Sequence, residues 1–376
     1  MRITIDYTPA VRQGAGIGRY TRSLVAALAE YDRQNEYTLF CAGVRPAGAA
    51  WPGNFGVRHS RIPARWLSAA WHRLGVPLAA ERLAGKCDVF HSADFTLPPL
   101  DAAAGVVTVH DLSFLRVPQC ADPKLRAFLE GVVPCAVRRA DRVLADSQST
   151  ADDLADLLGA PAEKISVVPG GVEPRFRRVR DAEQLRRVQA RYRLPEWFIL
   201  SVGTLEPRKN FPQLISAYAQ LRRQTGLPHE LVIAGKPGWL YQEIYDRVKD
   251  EGLTEHVHLP GFIADEDLPA LYTLADLFVF PSLYEGFGLP PLEAMACGAP
   301  VVVSDNSSLP EAVGNAALLV KAEDQEALTD AMARILGNAN LRARLTDLGR
   351  AQAARFTWRN SAEKLLEAYQ RAAEDA

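Results

Sequence analysis

Short apolar runs recur along this chain with helical stretches between them, and most are unbroken by polar residues. In the first half they read RITIDY, EYTLFCA, CDVFHS, GVVTVHD, DRVLADS and ISVVPG. In the second half they read WFILSVGT, ELVIAG, HVHLPG, LFVFPS, APVVVS and AALLV. A strand with one wet face alternates apolar and polar residues. A continuous run has both faces covered, as in a parallel sheet packed between helices. Strand–helix alternation joins such strands by crossovers, so the expected class is α/β with doubly wound sheets. The pattern restarts near residue 197, after a stretch that opens with Pro169, Gly170, Gly171 and Pro174 and then turns charged and helical. Two domains are expected, with this stretch as their junction and hinge. Ligands of such sheets bind outside the carboxyl ends of the strands, so two facing sheets would make a cleft.

Composition narrows the function classes. The 376 residues are long for one core and comfortable for two. A net charge of −2 gives no general electrostatic case for nucleic acid. The five cysteines form no CxxC and lie away from histidines at metal-ligand spacing, so they read as reduced and mostly buried. The first strand begins at residue 2, which leaves no room for a signal peptide, and no apolar run approaches about 20 residues. The expected setting is the cytoplasm.

Four stretches carry chemistry. GAGIGRY, residues 14–20, follows the first strand and opens a helix, where glycines let a ligand approach free N–H groups. A dinucleotide reading competes poorly. It needs glycine where Arg19 stands, and an acid where the second strand ends in Cys41-Ala42-Gly43. SVGTLEPRKN ends a strand at Gly203 and sets Arg208 and Lys209 before a helix near Phe211, a placement that suits a diphosphate. The alternative is a solvated loop. VTVHDLSFL puts His110 and Asp111 at a strand end, where His110 either meets a ligand or is satisfied by a buried backbone carbonyl. SLYEGFGLPPLEAM places Glu285 in a glycine loop and Glu293 in the first turn of the next helix. There a carboxylate is favoured by the dipole and can accept two ribose hydroxyls. The two acids could also form a glycosidase pair, or be a helix cap and a surface acid. Asp265-Glu266-Asp267 spells D-x-D, but it precedes LPALYTLAD and reads as a helix N-cap rather than a metal site.

Taken in order, these motifs resemble the retaining, nucleotide-sugar-dependent glycosyltransferases of the GT-B fold, family 4. GAGIGRY resembles the family's glycine loop, EPRKN its diphosphate-binding segment, and EGFGLPPLE its E-x7-E motif. FTWRNSAEKLLEAY resembles its terminal helix, and Ala362, Leu365, Leu366 and Tyr369 give that helix an apolar face. The resemblance implies two Rossmann-like domains: 1–172, with 358–376 crossing back, on the acceptor side, and 173–357 on the donor side. It implies that Glu285 and His110 contact the donor sugar. Glu293 would hold the ribose, Arg208 and Lys209 the diphosphate, and Gly16 would approach it from the other domain. Gly203 and the backbone of Gly286, Phe287, Gly288 and Leu289 complete the donor site. No cofactor or metal is expected. The substrate is a nucleotide diphosphate sugar, GDP-mannose first and UDP-hexoses next, and the acceptor is a glycan or lipid-linked glycan of a surface polysaccharide or lipopolysaccharide.

A nucleotide-sugar epimerase or a phosphorylase on the same fold would be a different enzyme class. A non-catalytic nucleotide-sugar binder is the third reading. The phosphorylase would need a pyridoxal lysine, for which no motif is present. Residues 60–86 hold Trp66, Trp71, Leu67 and Leu74 among Arg61, Arg65, Arg73, Arg82 and Lys86. That mixture reads either as peripheral contact with the inner membrane face or as a core-packed helix with a solvated side.

Overall fold

The computed structural model describes residues 1–376 except 15 and 47–49. Ala15 of the glycine loop therefore lies outside the described residues. The chain divides into two units. The first comprises Met1–Leu115, Pro123–Gly171 and Thr357–Ala376; the second comprises Arg116–Asp122 and Val172–Phe356.

The first unit is built on β1 (Arg2–Asp6), β2 (Glu36–Ala42), β3 (Phe55–Ser60), β4 (Val89–Ser92), β5 (Ala104–Val109), β6 (Arg142–Ala145) and β7 (Ile165–Val167). They form one parallel sheet in the order β3-β2-β1-β4-β5-β6-β7. The second unit carries β8 (Phe198–Val202), β9 (Glu230–Ala234), β10 (Val257–Gly261), β11 (Leu277–Phe280), β12 (Val301–Ser304) and β13 (Leu318–Val320). Its parallel order is β10-β9-β8-β11-β12-β13. The expected doubly wound α/β class is what the chain adopts. Every residue of β4, β5, β6, β11 and β12 is buried, the physical counterpart of their largely apolar sequences.

The strand β3, FGVRHS, was not foreseen. It lies at the sheet edge with its four central residues exposed, so it carries no apolar run to read. The five cysteines are free, and all but Cys135 are buried.

Helix Trp358–Asp375 belongs to the first unit. Ala362, Leu365, Ala368, Tyr369 and Ala372 enter its core, whereas Leu366 is half-buried. Thr357 caps it by accepting the Asn360 N–H at 3.2 Å. Ser361 Oγ donates to the Pro169 carbonyl at 2.6 Å, and the Tyr369 hydroxyl lies 2.7 Å from His91 Nδ1. Leu365 is 0% exposed, so Leu365→Ala removes a fully buried branched side chain. The expected destabilisation is about 2–5 kcal/mol, read as a fall in denaturation midpoint. A loss below ~0.5 kcal/mol would show that this helix is not part of the first unit's core.

Candidate active site

In the second sheet the chain runs β8, β9, β10 outward on one side, then returns to place β11 on the other side of β8. The carboxyl ends of β8 and β11 therefore flank a topological switch point, the usual ligand position in such sheets. The loops leaving these two strands carry most of the residues named from the sequence.

After β8, the Gly203 N–H donates to the Ala234 carbonyl at 2.9 Å. The single turn Pro207–Lys209 follows, and Asn210, at φ 56°, turns the chain into helix Phe211–Thr225. Asn210 Nδ2 donates to the Pro281 carbonyl at 3.1 Å and the Ala322 carbonyl at 2.8 Å, tying three loops together. After β11, Glu285 is held by two serines from the loop beyond β12. Its N–H donates to Ser307 Oγ at 2.9 Å, and its carbonyl accepts from Ser308 Oγ at 2.9 Å. The sequence reading gave no part to Asn210, Ser307 or Ser308. Their signal, a short polar stretch after a parallel strand, is common to many loops.

These loops bring four charges together. Lys209 Nζ lies 2.6 Å from Glu285 Oε1, and Arg208 Nη1 lies 2.9 Å from Glu285 Oε2. Arg208 Nη2 reaches Glu206 Oε1 at 2.8 Å, and Nη1 also donates to the Tyr284 carbonyl at 2.9 Å. Lys209 Nζ sits 4.9 Å from the Phe280 ring centroid, a cation–π contact at the strand end. Glu285 is only 7% exposed. Burial alone would raise its pKa, but Arg208 and Lys209 outweigh burial and hold it at about 2. Lys209 is pulled below its ordinary value by burial and by Arg208. Glu285 is thus a permanent carboxylate at neutral pH. It can accept hydrogen bonds and oppose positive charge, but it cannot supply the proton that a glycosidase acid must give.

The backbone beyond Glu285 turns sharply. Gly288 stands at φ +103°, where a side chain would be strained and its Cβ would meet Leu309 Cδ2 at 2.8 Å. It is the N-cap of helix Leu289–Cys297. The first four N–H groups of a helix have no intrahelical acceptor. Pro290 and Pro291 carry none, which leaves those of Gly288 and Leu289 as donors at this end. The side chain of Phe287 is buried against Phe356, with ring centroids 5.5 Å apart, so only its backbone can serve a ligand.

Glu293 is a correction. The helix begins at Leu289, so Glu293 falls in the second turn rather than the first, beyond the reach of most of the dipole effect. It is 1% exposed, and Tyr272 Oη donates to its Oε2 at 3.2 Å. Asp267 is a second correction. It occupies the N-cap position of helix Leu268–Leu274 but makes no capping bond. Its carboxylate is drawn instead to Arg191 Nη1 at 2.8 Å and Tyr192 Oη at 2.9 Å.

The remaining two named residues lie in the first unit. Gly16, at φ +54°, is the N-cap of helix Ile17–Tyr31. His110 follows β5 and is buried, with Nδ1 2.8 Å from Asp146 Oδ2 and Nε2 3.0 Å from the Ala93 carbonyl. Burial would lower its pKa; Asp146, then Asp94, outweigh this and raise it to about 9. Both ring nitrogens therefore donate, one of them to a backbone carbonyl, as in the structural alternative weighed above.

A doubly wound sheet with two cations, a permanent carboxylate and a glycine-capped helix at its switch point is an arrangement suited to a phosphorylated, hydroxyl-rich ligand. The chain belongs to the nucleotide-sugar-dependent glycosyltransferases: the family described as Glycosyl transferases group 1 matches residues 183–352, and Glycosyltransferase Family 4 matches residues 14–176. O-antigen chain mannosyltransferase B of Escherichia coli is 32% identical over 383 residues, covering 98% of this chain and 99% of that protein. D-inositol 3-phosphate glycosyltransferase of Salinispora arenicola is 31% identical, covering 97% and 80%. Among solved structures, sucrose-phosphate synthase from Thermosynechococcus elongatus superposes with a TM-score of 0.77 at 23% identity, over 98% of each chain. The fold is GT-B and the chain is a glycosyltransferase, acting on a nucleotide-sugar donor and a glycan acceptor.

Proposed function

We infer that this chain transfers a mannosyl unit, with retention, from a nucleotide diphosphate sugar to the growing glycan of a surface polysaccharide. The observation that carries the reading is Glu285, kept ionised between Arg208 and Lys209 at the switch point. Full-length similarity to an O-antigen chain mannosyltransferase supports mannose as the sugar, with GDP as the first nucleotide to try and UDP the second.

Breaking the sugar–phosphate bond leaves negative charge on the diphosphate and positive character on the anomeric carbon. Arg208, Lys209 and the N–H groups of Gly288 and Leu289 stabilise the first without a metal. Glu285 opposes the second. Its oxygens accept from Arg208 and Lys209, with Ser282 beside them, and the carboxylate keeps capacity for a sugar hydroxyl. Glu293 receives the ribose hydroxyls, and Gly203 leaves room beside the Lys209 stem. A same-face attack, assisted by the departing phosphate, accounts for retention. Calorimetry with GDP, UDP, ADP and dTDP, without added metal, tests the donor reading. One tight nucleotide is expected; a folded protein that binds none of the four would end it.

The relatives differ in the acceptors their names record, so the acceptor is argued from this chain's own surface. Among the described residues no helix is long and apolar enough to cross a membrane. The stretch from residue 60 to residue 86 divides instead. Leu67 is buried and Trp71 partly so, whereas Trp66 is 60% and Leu74 77% exposed, among exposed Arg61, Arg65 and Arg73. The packed residues fit the reading of a core-packed helix, and the exposed ones are where the proposed membrane contact would lie. The exposed side suits peripheral contact with an anionic bilayer at the inner face, where a lipid-linked acceptor lies. Binding to anionic liposomes at low salt should fall at least about tenfold in Trp66→Ala/Leu74→Ala. Equal binding by wild type and double variant would remove this contact.

A further inference from the structure

The second unit holds a cavity of about 960 Å³, at the upper end of the range for small-ligand sites. Its wall comes from the segment between Arg175 and Gln184, from the entry to helix Leu268–Leu274, and from helices Leu289–Cys297 and Ala339–Ala353. None of the residues placed at the donor site lines it.

Five arginines and no lysine stand among the described lining residues, against two acids, Asp181 and Glu266. The chain as a whole carries −2, so this excess of positive charge is local. Asp181 is engaged elsewhere. Its Oδ1 accepts the Glu183 N–H at 2.9 Å and the Gln184 N–H at 3.3 Å, capping helix Ala182–Arg191. Arg175 is also engaged: Nη2 donates to Glu173 Oε1 at 3.1 Å, and Nη1 to the Asp265 carbonyl at 3.0 Å. Arg350 lies 3.9 Å from Asp347 one turn away, an exposed pair that holds it weakly. The side chains of Arg177, Arg178 and Arg180 form no ion pair among the described residues. Arg178 is nonetheless seated by its stem, because a Cβ at Gly298, the C-cap of helix Leu289–Cys297, would stand 3.7 Å from its Cδ.

Like charges gathered around one concavity repel one another until an anion lies between them, and such a wall concentrates anions from solution. The planar fork of arginine takes two oxygens of one phosphate, which the point charge of lysine does not. The forks come from two segments far apart in the chain, around a space much larger than one phosphate. A run of linked phosphates reaches both segments. A flat anionic surface does not enter a concave wall.

We propose that this cavity is a second anion site, separate from the donor site, that binds linked phosphates through Arg178, Arg180 and Arg350. The ligand is either an inorganic polyphosphate or the phosphate chain of a nucleotide. The site stands whether or not the donor reading does.

Calorimetric titration of the full chain with tripolyphosphate, orthophosphate and GTP tests this at about 0.15 M salt, where diffuse surface attraction is screened. Tripolyphosphate should bind at least about tenfold tighter than orthophosphate. That binding should persist in Arg208→Ala/Glu206→Gln, which weakens the donor site. Arg178→Gln/Arg180→Gln should weaken it at least about tenfold, with the ligand-free denaturation midpoint unchanged or raised. Glu266→Gln, which removes an opposing charge from the wall, should tighten it at least about threefold, a gain that misfolding does not produce. GTP binding tighter than tripolyphosphate supports the site with a nucleotide as its ligand; tripolyphosphate equal or tighter supports it with an inorganic chain. The proposal is overturned if tripolyphosphate does not bind or binds no better than orthophosphate, or if Arg178→Gln/Arg180→Gln binds it normally. Loss of binding in Arg208→Ala/Glu206→Gln would also overturn it, by placing the anion at the donor site.

Discussion

Glu285→Gln will lower transfer by about a hundredfold at pH 7, mainly in kcat, because it removes a charge that the proposed mechanism sets against the developing cation. It will also lower stability. The carboxylate sits at about 2 in the folded chain against an ordinary 4.5, and that depression is a folding contribution. A folded pKa below the unfolded one stabilises above the unfolded value and loses that contribution as pH falls through the folded value. The window is therefore pH 4.5 down to about 2. For a group this buried, the contribution at neutral pH is on the order of 3 kcal/mol. Denaturant midpoints of wild type and variant should differ clearly at pH 7 and converge as pH approaches 2. Assays run well below the variant's melting temperature separate chemistry from unfolding. Transfer above about a third of wild type would reduce Glu285 to a structural role.

Arg208→Ala will lower transfer at least about tenfold, the loss expected from one charge-assisted bond to the departing diphosphate, worth ~1.5–3 kcal/mol. The substitution has a second consequence. Glu206 is buried and paired to Arg208 at 2.8 Å, so the variant leaves a carboxylate uncompensated. Breaking one side of such a pair costs about 3–5 kcal/mol. Adding Glu206→Gln should restore much of the stability and none of the transfer. That split is the decisive readout, because a purely structural arginine would regain both. Arg208→Lys keeps the charge without the two-pronged donor and should fall between wild type and alanine. Near-normal transfer in Arg208→Ala would remove this residue from the donor site.

Much of this architecture was legible in the sequence. Twelve apolar runs correspond to strands, and the missed strand, β3, is the exposed edge whose residues carry no apolar signal. Arg208, Lys209 and Glu285 were each readable as ends of strand–loop units, because parallel strands must release their loops at one edge. The pairing among them was not readable. Glu206 and Glu285 lie far apart in the chain, and only the adjacency of β8 and β11 lets both neutralise Arg208. The place of Glu293 was misjudged by one helical turn. The cap that sets the register is a glycine at positive φ, and glycine two residues before a proline pair marks several different turns equally well.

Local sequence determined what depends on near neighbours: strand periodicity, helix starts and the residue types at loop mouths. Tertiary structure decided what depends on distant ones. It chose which face of the segment from residue 60 to residue 86 meets solvent. It linked Glu206, Arg208, Glu285 and Lys209 in a row of ion pairs, and it set Arg178, Arg180 and Arg350 around one cavity. Charge interactions fall with distance and strengthen with burial. Neither quantity exists until the sheet order is set, so the chemistry of both sites was fixed only by the fold.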